Sequence, residues 1–514
     1  MKRRRIISVL TVVLVFIGLL LVKVAIWVPE TFGDIPFEQV LFHVMVPMKG
    51  TDTSFVDSFI QDCLPMPCII SGLLLIFCIL KDWKVSRDIK NGEFRHVRNN
   101  VLIIITSLSC LFVYVFGIAD CVHAIGIDEY WYNVSHPSKL YEEYYVDPSS
   151  VKYSFPEQKR NLVYIFMESM ETTYEDTEHG GAFEESRMPE LTELADNNLT
   201  FSYGNNDNNG FLVPSMSGWT AAAMIGQTSG IPLNIPIDGN SYVSKDSFLP
   251  GSYSIGQILE NNGYTNELLL GSDSEFGGRK FYFQQHGNFN IVDYYTAIKN
   301  GWIDKDYKVW WGFEDLRLFD YAKIELTKLA STGQPFNFNM LTADTHFVGG
   351  LLCPGCEDFY NGDQYSNVIR CSSRHVAALV QWIQEQPWYE NTTIVLAGDH
   401  KSMDPDWFKD IEESGYNRKC YYTIINSAAT PITQKSRKIS TYDLFPTTLA
   451  SLGVTFNSDR LGLGTNLYTD TSTLVENLGF KKFDKELTRH SNYYDKYILY
   501  GKRKEQWTER KCYY

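Results

Sequence analysis

The chain has 514 residues, 44% of them hydrophobic, and a formal net charge of −15. That length accommodates more than one domain and a large buried core. The acidic balance, with no basic stripe in the C-terminal part, excludes nucleic acid as a partner and leaves phosphate or lipid headgroups to be met by local cations or a metal.

Three long apolar runs begin at Ile6, Cys63 and Val101. Each is near the roughly 20 residues that cross a bilayer, and they predict transmembrane helices over about 6–27, 63–80 and 101–119 in a membrane domain 1–121. The first follows "MKRRR", but it is longer than a signal-peptide core and no small-x-small cleavage site follows it, so it reads as a retained span with Lys23 reaching the interface. The link after it carries Glu30, Asp34, Glu38, Asp52, Asp57 and Asp62 against Lys49 alone, whereas the next link holds Lys81, Lys84, Arg87, Lys90, Arg95 and Arg98. Positive charge stays on the cytoplasmic side. The N-terminus and the second link are therefore expected inside, and everything after the third span outside.

Residues 122–160, rich in Tyr, Pro, Ser and acidic side chains, read as a linker. From Asn161 a regular alternation begins. "NLVYIFMES" predicts a buried strand ending at Glu168, "MPELTELADNN" a helix with Pro189 at its start, and "YTNELLLG" and "FNFNMLTAD" further strands with the helix "RKFYFQQHG" between them. "SNVIRCSSRHVAALVQWIQEQ" predicts a long amphipathic helix, "TTIVLAGDH" a strand, and "STYDLFPTTLASLG" a helix closed by Gly453. This alternation specifies an α/β domain over 161–475 whose mainly parallel sheet is flanked by helices, followed by an extension, 476–514. The five outer cysteines are Cys353, Cys356, Cys371, Cys420 and Cys512. In an oxidising exterior a disulfide among Cys353, Cys356 and Cys371 is the expected use, because no second Cys-x-x-Cys or His pair completes a zinc site.

Ligands of such sheets gather at the carboxyl ends of the strands. There lie Glu168, His346 and the pair Asp399-His400, while "SMSGWTAAAMIG" sets Ser215, Ser217 and Thr220 at the start of an alanine-rich helix. Singly, each has a plain structural use: a loop carboxylate, a turn, a helix cap. Together, two carboxylates and an imidazole converging on a hydroxyl make a site for one divalent cation. Mn²⁺ is the expected ion, with Mg²⁺ and Zn²⁺ also accommodated by this mix of oxygen ligands and one histidine.

The ordered motifs "LVYIFMES", "SGWTAAAMIGQTSGIPL", "GSDSEFGGRKFYFQQHG", "LTADTH", "IVLAGDH" and "DLFPTTLASLG" with "LGLGTNLY" resemble those of the membrane-bound phosphoglycerol transferases of the alkaline phosphatase and sulfatase superfamily, a group that includes the lipoteichoic acid synthases. The resemblance covers roughly 160–470 and extends weakly to "FEQVLFHVMVPMKG" in the first link. It implies an extracytoplasmic sulfatase-like domain, with Glu168, Asp399, His400 and Ser217 as metal ligands, Ser217 as nucleophile, and Arg279 and His346 gripping a phosphoglycerol head. Ser217 is preferred to Ser215 and Thr220 on its distance from the "GIP" segment at Gly230. The implied donor is phosphatidylglycerol, and the implied acceptor is a hydroxyl on an envelope glycan or polymer. The lipoteichoic acid synthases carry tryptophan where this chain has Gly277, which points to the glucan-modifying branch. No C/S-x-P-x-R motif of formylglycine sulfatases is present. The alternatives are a phosphodiesterase, a phosphoethanolamine transferase, or a non-catalytic envelope binding protein.

Overall fold

The computed structural model describes residues 2–33, 35–45, 54–90, 96–204, 209–234 and 247–502. Asp34, Lys49, Asp52 and Arg95 of the links, and Cys512, lie outside the described residues. The chain divides into two units, Met1–Phe37 with Asp52–Tyr132, and Glu38–Thr51 with Asn133–Tyr514.

In the first unit, helices α1 (Lys2–Phe32), α3 (Ser54–Cys63), α4 (Pro65–Lys90) and α5 (His96–Ala124) follow the apolar runs; α2 (Phe37–Met45) falls almost wholly in the second unit. Two segments, Ser8–Phe32 and Val56–Lys81, are long and apolar enough to cross a membrane. The third expected span lies within α5, but its described apolar part, Leu108–Ala124, reaches that length only together with the bent continuation α6 (Ile127–Ser135). The α1 and α5 backbones touch: a Cβ on Gly117 would stand 2.3 Å from the Gly18 carbonyl oxygen. Small residues permit this approach, the usual basis of helix packing in lipid.

The second unit is built on a six-stranded sheet of β1 (Asn161–Met167), β2 (Thr265–Leu270), β3 (Asn290–Val292), β4 (Phe336–Leu341), β5 (Thr392–Gly398) and β6 (Tyr422–Ile425). The spatial order is β3-β2-β4-β1-β5-β6, parallel throughout except for antiparallel β6. Strand β1 is wholly buried: Leu162, Tyr164 and Phe166 enter one core, and Val163, Ile165 and Met167 the other. Side chains alternate across a strand, so an unbroken apolar run means that both sheet faces are covered. The sequence anticipated β1, β2, β4 and β5, and it missed the short edge strands β3 and β6. Helices α7 (Pro189–Asn197), α8 (Thr220–Ser229), α9 (Arg279–Gln285), α10 (Asp315–Ser331), α11 (Gln364–Gln384) and α12 (Leu444–Ser451) cover the faces.

Two boundaries differ from the expectation. Of the residues expected to form a linker, 133–160 belong to the second unit, where Leu140 and Tyr141 are buried and Tyr153–Ser154 pairs with Thr455–Phe456. Likewise the expected C-terminal extension supplies Phe483, Leu487, Tyr494, Ile498 and Leu499 to the core. Apolar side chains spaced among polar ones concealed both roles.

Cys356 and Cys371 form a disulfide with 5.5 Å between Cα atoms, joining the loop before α11 to that helix. Cys353 Sγ lies 3.2 Å from Cys356 Sγ, so a substitution at Cys371 alone leaves a replacement partner in reach. Closing a loop of this size contributes about 3 kcal/mol. The double variant Cys353→Ser/Cys371→Ser is therefore expected to unfold at a temperature lower by several degrees in a thermal melt, and Cys371→Ser alone by less.

Candidate active site

Parallel pairing of β1 with β5 sets Met167 opposite Gly398. The next residue of each strand, Glu168 and Asp399, therefore emerges at the same rim. Ser169 then turns the chain with a left-handed φ of 53°. Its backbone N–H donates to Asp399 Oδ1 at 2.8 Å, and its hydroxyl donates to Glu168 Oε1 at 2.9 Å. The His400 backbone N–H donates to Asp399 Oδ1 as well, at 2.7 Å.

These bonds leave one side of the cluster open. His400 Nε2 stands 3.5 Å from both Glu168 Oε1 and Asp399 Oδ2, and none of the three side chains is more than 3% exposed. His400 Nδ1 lies 2.8 Å from the Lys401 carbonyl oxygen, which fixes the proton on Nδ1 and turns the Nε2 lone pair inward. Asp399 Oδ2 is buried and meets no donor among the described residues. A buried carboxylate oxygen without a donor is costly. This oxygen, the Glu168 carboxylate and the inward Nε2 fit a divalent cation, and their ligand atoms lie within 4.8 Å of one another.

Electrostatics support that fit. Burial, then the Glu168 charge, pushes the Asp399 carboxyl up to about 8. Burial opposes ionisation of Glu168 too, but His400 and His346 hold its carboxyl below the usual range. Burial disfavours the His400 imidazolium, yet Asp399 and Glu168 outweigh it and hold His400 above its ordinary value.

The hydroxyl expected from the motif spacing does not join this cluster, and the one passed over does. Ser217 closes a short 3₁₀ turn, Ser215–Ser217, and its Oγ donates to Tyr442 Oη at 3.0 Å on the far side of α8. Gly226 leaves room for that contact, since a Cβ there would lie 3.2 Å from Ser217 Oγ. Ser215 is bound through its N–H and Oγ to Asp484, both at 2.7 Å. Thr220, the first residue of α8, places Oγ1 3.3 Å from Glu168 Oε2 and 3.3 Å from His400 Nε2. The reason is geometric: the 3₁₀ turn and the extended Trp219 set the helix start three residues beyond Ser217. The sequence reading placed Ser217 in the first turn of this helix, whereas the helix starts at Thr220.

Arg279 opens α9 behind Gly277 and Gly278, both at left-handed φ near 70°. It is 7% exposed and bonds the carbonyl oxygens of Phe276 and Asp273 and the Ser272 hydroxyl. Burial lowers its pKa to about 10, with Glu168 and Asp273 opposing, so it stays cationic. His346 is half-buried beyond β4, its ring 4.9 Å from that of Trp311 and 5.0 Å from that of Phe347. Helix α2 also belongs to this region, a role that its short apolar pattern did not reveal. Its Phe42 is 2% exposed and packs 5.6 Å from the Trp219 ring, while Gln39 Nε2 donates to Met403 Sδ at 3.3 Å.

Comparison with known proteins shows the family. The sulfatase family model matches residues 160–454, more than half of the chain. Phosphoglycerol transferase I of Escherichia coli O139:H28 is 32% identical over 326 residues, which are 62% of this chain and 40% of that protein. The chain thus spans about two fifths of the length of this relative. Among solved structures, the integral membrane lipooligosaccharide phosphoethanolamine transferase A of Neisseria meningitidis shares the fold with a TM-score of 0.50 at 14% identity, over 86% of this chain and 84% of that one. The lipoteichoic acid synthase LtaP of Listeria monocytogenes overlaps 63% of this chain and 80% of its own at 16% identity, with a TM-score of 0.44.

A cation held here must displace the proton favoured on Asp399 and compete with protonation of His400. Without the cation, the raised Asp399 pKa contributes stability at low pH that is lost as pH rises through about 8. With it, the order reverses. Added Mn²⁺ is therefore expected to raise the melting temperature more at pH 8 than at pH 6, and to leave Asp399→Ala unchanged at both, as read by thermal unfolding against an EDTA control.

Proposed function

We propose, from the premise that the chain belongs to the sulfatase family, that its outer unit transfers the phosphoglycerol group of phosphatidylglycerol to an acceptor hydroxyl on an envelope glycan or polymer. The observation that carries this reading is the Thr220 hydroxyl at the start of α8, 3.3 Å from both Glu168 Oε2 and His400 Nε2 within the buried cluster. The 32% identity to a protein named phosphoglycerol transferase I supports the choice of group transferred. The two membrane-length helices, a third crossing made by Leu108–Ala124 with its bent continuation, and the acidic and basic links support a multi-pass protein of the bacterial cytoplasmic membrane with the second unit on the extracytoplasmic side.

In this mechanism Thr220 takes the role that the motif resemblance implies for Ser217. Glu168, Asp399, His400 and the Thr220 hydroxyl would hold a divalent cation, Mn²⁺ being the ion we favour, whose Lewis acidity would lower the hydroxyl pKa and offset charge on the phosphoryl group. Glu168 Oε2, hydrogen-bonded to Thr220 Oγ1, is placed to take the hydroxyl proton. Thr220 Oγ1 then bonds to phosphorus as the bond to diacylglycerol breaks, and diacylglycerol leaves as its alcohol after taking up a proton. The α8 N-terminus points partial positive charge at the reacting group. Arg279 and His346 bind the remaining phosphoryl oxygens, the guanidinium as a permanently charged fork. In the second half the acceptor oxygen bonds to phosphorus as the Thr220 Oγ1–phosphorus bond breaks, and the acceptor's proton passes to Thr220 Oγ1, which restores the free side chain.

The test is purified full-length protein in detergent with Mn²⁺ and glycerol-labelled phosphatidylglycerol. Thr220→Ala is expected to lose at least about a thousandfold in diacylglycerol release and to carry no label, whereas wild type carries label on Thr220. Ser217→Ala, which touches Tyr442 and not the cluster, is expected to stay within about tenfold of wild type. Label on Ser217 would reverse the nucleophile assignment. No diacylglycerol release by wild type with any divalent cation would remove phosphatidylglycerol as donor.

A further inference from the structure

Trp311 occupies a position that neither the cluster nor the fold explains. It sits in a tight turn in which Val309 and Gly312 exchange backbone hydrogen bonds at 2.7 and 3.0 Å. That turn is pressed against the loop that carries Arg279. Phe313 N donates to the Gly271 carbonyl oxygen at 3.0 Å, and a Cβ on Gly312 would lie 2.0 Å from that same oxygen, so only glycine allows the approach. The docking delivers the indole between the two candidate headgroup residues. On one side its ring is 4.9 Å from the His346 ring; on the other it is 5.5 Å from Phe276, whose ring in turn lies 5.6 Å from the Arg279 guanidinium.

The polar edge of this indole is the telling feature. Trp311 Nε1 is buried and meets no acceptor among the described residues. An indole N–H can only donate, and buried tryptophans ordinarily find a partner for it. Leaving a buried donor unmet is unfavourable, and native structures hold few such groups without a functional reason. A phenylalanine in this slot would give the same ring contacts with no unmet donor. The group is therefore matched to an acceptor that arrives with a ligand, and its neighbours identify that acceptor as anionic: Arg279 offers only donors, and His346 is an imidazole suited to the same role.

We infer that Trp311 is a substrate-binding residue whose Nε1–H donates to a phosphoryl oxygen of the bound headgroup, between Arg279 and His346. The inference rests on the phosphoglycerol reading above and adds a third contact to it. A neutral donor of this kind recognises the phosphodiester without depending on pH. It also fixes the plane against which His346 packs.

The test uses the full-length protein in detergent, with Thr220→Ala as background to stop turnover, and measures calorimetric binding of inorganic phosphate and of glycerol phosphate in Mn²⁺. Trp311→Phe keeps the ring and removes the donor, and it is expected to weaken both ligands by about tenfold or more, the worth of a hydrogen bond to a charged acceptor, with an unchanged melting temperature. Trp311→Tyr, which moves the donor to the far end of a smaller ring, serves if the first variant does not fold, and the same loss is expected. Arg279→Ala separates the Trp311 contact from the headgroup reading beneath it. If the wild-type background binds neither ligand, or binds them as well with Arg279→Ala as without it, the headgroup reading itself falls. If Arg279→Ala abolishes binding while Trp311→Phe stays within twofold of the background, only the Trp311 inference is overturned. A loss confined to glycerol phosphate would move the N–H to a glycerol hydroxyl and overturn the phosphoryl assignment.

Discussion

Two carboxylates are buried side by side at the end of the central sheet, and the rest of the outer unit follows from that. Glu168 and Asp399 leave adjacent parallel strands at matched register, Met167 opposite Gly398, and both are almost entirely removed from water. Like charges at this distance in a poorly polarisable interior repel strongly. Backbone donors from Ser169 and His400 satisfy one oxygen of Asp399; the other meets no donor among the described residues. The repulsion is relieved by a proton on Asp399 or by a cation held between the carboxylates, and so the fold is in part a device for keeping a cation site in wait.

The surrounding elements can be understood as consequences. Helix α8 brings a hydroxyl and the positive end of its backbone dipole to the cluster, and its wholly buried run Ala221–Ser229 lets it sit deep against the sheet. Arg279 is nearly as buried, and its donors are fixed by Phe276, Asp273 and Ser272 before any ligand arrives. Preorganised charge of this kind costs nothing further when substrate binds. Part of α2, from the link between two apolar helices, lies against Trp219 and Met403, so a segment far upstream in the sequence packs beside the start of α8.

The placement of Ser217 shows where sequence reasoning loses resolution. Three hydroxyls within six residues all stand at a helix start, and motif spacing alone ranked the wrong side chain nearest the cluster. What separates them is a single 3₁₀ turn: it points Ser217 at Tyr442 behind the helix, ties Ser215 to Asp484, and leaves Thr220 as the first-turn side chain facing Glu168 and His400. The partners Tyr442 and Asp484 are more than 200 residues away in sequence. The short edge strands β3 and β6 and the folded segment from Asn133 escaped for a related reason, since three or four residues carry too little periodicity to be told from loop.

The sequence by itself determined two of the three apolar spans, the strands β1, β2, β4 and β5, the α/β class, and the residues Glu168, His346, Asp399 and His400 at the ends of the strands, while Arg279 came from the motif resemblance. These follow from local pattern: β1 and β5 are largely apolar runs, as strands buried on both faces tend to be, β2 and β4 are recognisable although Asn266, Glu267, Asn337 and Asn339 are buried within them, and a residue just after a strand lies at its end. Only the tertiary structure decided which hydroxyl faces the carboxylates, which cysteines pair, and that Trp311 stands between His346 and Phe276 with an unmet N–H. Those outcomes depend on strand register and on turns a few residues long, where a shift of one position exchanges the side chain that faces the site for one that faces the core.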